Sequence, residues 1–261
     1  MKHPDQKSGI SRRTLFKHTA ALATAGASSA LVAATPARST FVLIHGAWHG
    51  GWCWQRVAEI LQRAGHTVHA PTLSGVGERS HLASMNINLT THVLDVVNEV
   101  RWKDLSNIVL CGHSYGGMVI TGAAEQIRER IASIVYLDAF VPQHGQSLND
   151  LAGGTRPATG MIPPITAEQF NVNAADRAWV NSKMTPQAAA CFSEKVSLKG
   201  AALEVPKKAY IRATVGTSPA FQSAYERLSK TAGWKTYSIE CGHDAMIDKP
   251  AELAELLIKS V

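Results

Sequence analysis

Cysteine is scarce in this chain. Four occur in 261 residues, Cys53, Cys111, Cys191 and Cys241, too few and too scattered for a disulfide framework and without the paired spacing of a zinc site. Cys111 lies on an apolar run and reads as a small core residue. A bridge between two cysteines stays open, with no signal for the pairing. Charge is sparse too, at 18%. The net charge is +6, but Lys2, Lys7, Arg12, Arg13 and Lys17 against Asp5 put +4 of it in residues 1–37 and leave +2 for the rest. That remainder has no Lys/Arg stripe interleaved with aromatics, so nothing in it points to nucleic-acid binding. Internal repeats are missing, as is any apolar run able to span a bilayer stably. What remains is an ordinary apolar content of 45%, in a length that fits one large α/β domain better than two small ones.

The N-terminus stands apart. Ser11-Arg12-Arg13-Thr14-Leu15-Phe16-Lys17 precedes a weakly apolar run of Ala, Thr, Ser and Gly from about Thr19 to Ala34, with small residues up to Ala37. This order resembles a twin-arginine export signal, with cleavage expected between Ala34 and Arg38. Residues 1–37 are therefore set aside as a signal peptide, and 38–261 as the folded domain. A periplasmic or secreted location follows, with the twin-arginine export machinery as a partner before cleavage and no stable membrane insertion.

From Thr40 onward, strand-like and helix-like segments alternate. Apolar runs at Thr40–Ile44, Thr67–Ala70, Asn107–Leu110, Ile131–Leu137, Lys208–Ala213 and Lys235–Ile239 read as six strands. Arg56–Ala64, Thr91–Val100 and Pro250–Ile258 carry helical spacing, the first with Val57, Ile60 and Leu61 on one face and Gly65 as its stop. Alternation of this kind predicts a mainly parallel sheet covered by helices on both faces. Residues 143–205 break the pattern. They are rich in Pro, Gly and Ala, with short helical pieces expected near Ala167–Phe170, Ala174–Val180 and Pro186–Phe192. Their position between two strands predicts a small helical lid.

The chemistry centres on Cys111-Gly112-His113-Ser114-Tyr115-Gly116-Gly117, between an apolar strand and the helix-like run Met118–Ala124. Strand, tight turn and helix is the context of a G-x-S-x-G nucleophile elbow. Gly112 and Gly116 leave room for the close approach, and Ser114 is pushed out at a helix N-terminus, where free N–H groups favour developing negative charge. In such a fold the base comes last in the chain, which selects His243 in Cys241-Gly242-His243-Asp244-Ala245-Met246. His66, His69, His81 and His92 belong to early segments, and His113 is expected to pack beside the elbow. The oxyanion donors are expected to be the N–H of Tyr115 and that of Ala47, in the Gly-rich loop after the first strand. Trp48, Phe140, Trp179 and Met184 are the candidate substrate walls, which suggests a hydrophobic or aryl ester. No metal site is evident, and acyl transfer of this kind needs no cofactor.

Together, Phe41–Trp52, Gly112–Met118 and Gly242-His243 with Ala245-Met246 resemble the α/β-hydrolases of the group containing plant methylesterases, hydroxynitrile lyases and related bacterial esterases. The resemblance runs from Thr40 to the C-terminus and implies an α/β-hydrolase fold. It also implies a triad acid after the strand Tyr210–Ala213. This sequence continues Thr214-Val215-Gly216-Thr217-Ser218-Pro219, with no carboxylate. One strand earlier, in Leu137-Asp138-Ala139-Phe140, Asp138 stands where the plant enzymes carry a small residue and where some lipases of this fold keep their acid. Asp138 is therefore the expected acid, ahead of Asp244 and Glu240; a loop-anchoring role is the plainer reading of it. The lyases place a threonine and a lysine where this chain has Gly46 and Asp244, so hydrolysis is expected over cyanide release. A serine carboxylesterase is the leading expectation. A small-molecule-binding protein with a degenerate hydrolase pocket, and lyase chemistry, are the alternatives.

Overall fold

The computed structural model describes residues 38–154, 156–216 and 218–261; the expected signal segment lies outside them. Six strands form one parallel sheet: β1 (Thr40–Ile44), β2 (Thr67–His69), β3 (Ile108–His113), β4 (Ile131–Leu137), β7 (Lys207–Ala213) and β8 (Trp234–Ile239), in the order β2-β1-β3-β4-β7-β8. Two short strands, β5 (Met161–Ile162) and β6 (Gln187–Ala188), pair antiparallel outside it. Every residue of β3 is buried, as a strand covered on both faces must be, whereas β2 and β8 at the edges are partly exposed.

The helices follow from local sequence. α1 (Gln55–Arg63) buries Val57 and Leu61 and packs against the C-terminal α9 (Pro250–Lys259). α2 (Leu89–Trp102) starts at Asn88, whose side chain accepts from the Thr91 N–H at 2.9 Å, and buries the stripe Val93, Val96, Val97 and Val100 against α3 (Gly116–Ile127). α3 is apolar nearly all round because nearly all of it is buried. α7 (Pro219–Ser229) connects β7 to β8, and α8 (Ala245–Asp248) precedes α9. Among the described residues no helix is long and apolar enough to cross a membrane.

Residues 143–205 hold α4 (Leu148–Ala152), β5, α5 (Arg177–Lys183), β6 and α6 (Ala190–Ser193). Two expected helical pieces are corrected here. Ala167–Phe170 is a turn, and Gln187–Ala188 is strand. The Gln187 side chain accepts from the Trp48 N–H at 2.8 Å while its backbone pairs with Ile162, so tertiary contacts override local propensity. All four cysteines are free and buried.

Candidate active site

At the carboxyl edge of the sheet, three non-glycine residues following β1, β3 and β4 take left-handed backbone: Trp48 (φ 64°), Ser114 (φ 54°) and Asp138 (φ 39°). Such strain persists only where the surroundings over-determine it. At the elbow they do. A Cβ on Gly112 would sit 2.6 Å from the Gly116 carbonyl oxygen, and one on Gly116 would sit 2.8 Å from that of His45. Ser114 N–H donates to Leu137 O (3.1 Å), and Phe140 N–H donates to Ser114 O (3.2 Å), which ties the ends of β3 and β4 together.

The sheet register then sets who meets whom. His113 lies opposite Leu137 and Leu137 opposite Ile211, so Ser114, Asp138 and Arg212 follow one another across three adjacent strands. Asp138 is fully buried. Its Oδ2 accepts from His243 Nδ1 at 2.7 Å, and its Oδ1 accepts from Arg212 Nη1 and, at 3.3 Å, from the Ala213 N–H. Nδ1 is thus engaged by the carboxylate, and the ring lines the cavity that Ser114 also lines. No direct Ser114–His243 hydrogen bond is formed. The ring is clamped between Phe221 (5.1 Å, 8° between planes) and Phe170 (5.3 Å, 26°), and the His243 N–H donates to Phe170 O at 2.9 Å.

Asp244, weighed as an acid from sequence, is engaged elsewhere. Its Oδ2 accepts from His49 Nε2 at 3.1 Å, and His49 Nδ1 donates to Ala47 O at 2.7 Å. A ring that donates from both nitrogens is an imidazolium. Burial alone would push the His49 pKa down, but the charge and hydrogen bond of Asp244 outweigh it, and the pKa is raised. Burial would likewise raise Asp244, and His49 outweighs it, holding the carboxyl at about 2. The pair links the loop after β1 to the loop carrying His243. Glu240 is exposed at the end of β8.

Burial holds the other buried histidines among the described residues, His45, His66, His92 and His113, below their ordinary pKa. His113 packs beside the elbow and donates from Nε2 to His243 O (3.0 Å); burial first, and then the neighbouring His243, hold its pKa well below the ordinary value. Burial pushes His45 down to about 3, and its Nε2 accepts from the Leu73 N–H. Tyr115 OH donates to His92 Nδ1 at 3.0 Å, which fixes the residue after Ser114.

Ser114, His243, Asp138, Ala47 and Tyr115 line one cavity of about 310 Å³. Trp48 and Phe140 are in its wall; Trp179 and Met184 are not. Trp179 instead packs edge-on against Trp52 (5.1 Å) and under the Arg56 guanidinium (5.3 Å), and Met184 is buried in the core. Their places in the wall are taken by Phe170 and Phe192, which entered the sequence reading as the ends of two expected helical pieces. A larger recess of about 610 Å³ adjoins past Phe140, Ala152 and Ser218, but neither Ser114 nor His243 faces it, so the chemistry belongs to the smaller cavity. Among the described residues no group of three or more His, Cys, Asp or Glu side chains is arranged to hold a metal ion. Sequence reasoning missed Arg212. Its signal was an arginine inside an otherwise apolar strand, where burial demands a carboxylate partner.

Residues 41–256 match the sequence profile of the alpha/beta hydrolase family. The chain is 44% identical over 237 residues to a carbendazim hydrolyzing esterase of Nocardioides sp. (strain SG-4G), covering 84% of this chain and 98% of that protein. It is 29% identical over 157 residues to Methylesterase 1 of Arabidopsis thaliana, covering 56% of this chain and 51% of that protein. Among solved structures, an extracellular alpha/beta-hydrolase from a Paenibacillus species superposes with a TM-score of 0.71 at 28% identity, covering 85% of this chain and 98% of that one. That protein is described as sharing structural and functional homology with tobacco salicylic acid binding protein 2.

Proposed function

The chain belongs to the alpha/beta hydrolase family, and from that premise we propose that it is a serine esterase acting on small hydrophobic or aryl esters. In this reading His243 Nε2 takes the Ser114 proton and Ser114 Oγ attacks the ester carbonyl. The developing oxyanion rests on the N–H groups of Ala47 and Tyr115, the alcohol leaves protonated by His243, and water activated at the same nitrogen releases the acid. Asp138 holds the ring and stabilises the imidazolium without taking its proton.

The observation that carries the reading is the arrangement at one cavity, lined both by a serine in left-handed backbone and by a histidine whose Nδ1 bonds a buried carboxylate at 2.7 Å. Two further facts support it. Neither the Ala47 nor the Tyr115 amide donates to a protein acceptor among the described residues. The cavity also lies near the low end of the about 300–1,000 Å³ range of ligand pockets, which suits a small ester. The carbendazim relative makes that compound a first candidate to try. Lyase chemistry has less support, because Asp244 stands where a cyanide-handling lysine would be and is buried against His49.

Wild type and Ser114→Ala should be compared on carbendazim, p-nitrophenyl esters and methyl aryl esters, with cyanide release as a side assay. Turnover by wild type that falls at least about a thousandfold in the variant is expected. No turnover by folded wild type would leave the binding-protein reading in the lead.

We also propose that residues 1–37 direct twin-arginine export. The Arg12-Arg13 pair and the run behind it support this, and the Paenibacillus neighbour is described as extracellular. Changing both arginines to lysine should leave the protein unprocessed in the cytoplasm; continued export would refute the signal.

A further inference from the structure

One charged residue in the cavity has no part in the mechanism above. Arg156, from the insertion between β4 and β7, lines the same cavity as Ser114 and His243. Its guanidinium lies over the ring of Phe192, 5.6 Å from the centroid. Phe192 packs in turn against Tyr115 (5.8 Å) and Trp48 (5.5 Å), so the arginine stands on an aromatic stack that reaches the elbow and the loop after β1. Arg101, Arg177 and Arg227 meet no carboxylate but each donates to a backbone carbonyl; Arg156 too meets no carboxylate among the described residues. It also makes no hydrogen bond to them, although it is half-buried.

The Phe192 ring face relieves only part of the cost of a cation that has lost hydration without gaining an anionic partner, and burial does lower its pKa. Among the described residues the cavity offers no free carboxylate to pair with it. Asp138 is, among the described residues, the one carboxylate in the wall, and Arg212 and His243 already satisfy it. Asp138 is thus neutralised as a source of repulsion for an incoming anion. The planar fork of a guanidinium matches a carboxylate in two parallel hydrogen bonds, and a partly dry site strengthens them.

We propose that Arg156 is a specificity-determining residue, and that the preferred substrates are half-esters: molecules whose scissile ester lies at Ser114 and whose far end carries a free carboxylate that pairs with this guanidinium. This rests on the serine-esterase reading and names its substrate class. Hydrolysis then releases an alcohol and a dicarboxylate, with Arg156 taking no part in bond making or breaking.

The test uses three series of methyl esters matched in chain length: half-esters of dicarboxylic acids, their dimethyl esters, and esters of simple monocarboxylic acids. At one preferred length wild type should show a KM for the half-ester at least about tenfold below that of both neutral series. Arg156→Ala should bring the three series together, and Arg156→Lys should keep part of the difference as a point charge. Equal KM values across the series in wild type, or a preference that survives Arg156→Ala, would overturn the proposal. Turnover of the neutral esters reads the serine-esterase assignment separately, so failure of one is not mistaken for failure of the other.

Discussion

At the scale of the residue, the site turns on positions with no freedom to be otherwise. Gly46 is the clearest. A Cβ there would lie 2.9 Å from His113 Nδ1 and 3.0 Å from Ser114 Cβ. Alanine at this position must displace the elbow or the loop beside it. Misplacement of reacting groups by about 1 Å costs about a hundredfold, so Gly46→Ala should lower kcat/KM by about that factor. An unchanged kcat/KM would mean that Ser114 tolerates the shift. The acid shows what a sequence can and cannot disclose at this scale. The absence of a carboxylate after β7 was legible, and so was Asp138 one strand earlier. Arg212 beside it was not anticipated, because pairing across β4 and β7 depends on register, which only the fold supplies. Trp179 and Met184 were misplaced for a related reason: an irregular insertion has no periodicity to say which apolar side chains face a cavity and which face the core.

At the scale of elements, the active site is an agreement between loops after β1, β3, β4 and β8, and the His49–Asp244 pair joins the first of these to the last. Removing one partner leaves the other charge buried and uncompensated. His49→Phe should destabilise the fold by about 3–5 kcal/mol, and adding Asp244→Asn should recover much of it. The pH dependence has a definite sign. Asp244, lowered, contributes stability above its unfolded value near about 3.9 and loses it as pH falls toward about 2. His49, raised, contributes fully below about 6.5 and loses it as pH rises through its folded value. Wild type should therefore lose more stability than the double variant as pH rises from 6 to 9, measured by urea unfolding at the two values. Equal losses would remove the ion pair from the account. None of this could be read from sequence, where His49 sits in a Gly-rich loop and Asp244 is only the neighbour of the base.

For the whole molecule, the sheet was legible nearly strand for strand, since buried parallel strands are short apolar runs and the helices between them carry their own spacing. The elbow was legible because strand, tight turn and helix constrain each other so closely that few sequences satisfy them. At this scale the central proposal is that the acid stands after β4, one strand inward from the position after β7 that the family resemblance implies, and still reaches a histidine after β8. The kcat of Asp138→Asn on an ester that wild type turns over tests this most directly, with circular dichroism to confirm the fold. An amide at this position favours the wrong histidine tautomer, and kcat should fall by about 10⁴-fold. A folded variant that loses less than about tenfold would contradict it and return Asp138 to the role of a loop anchor.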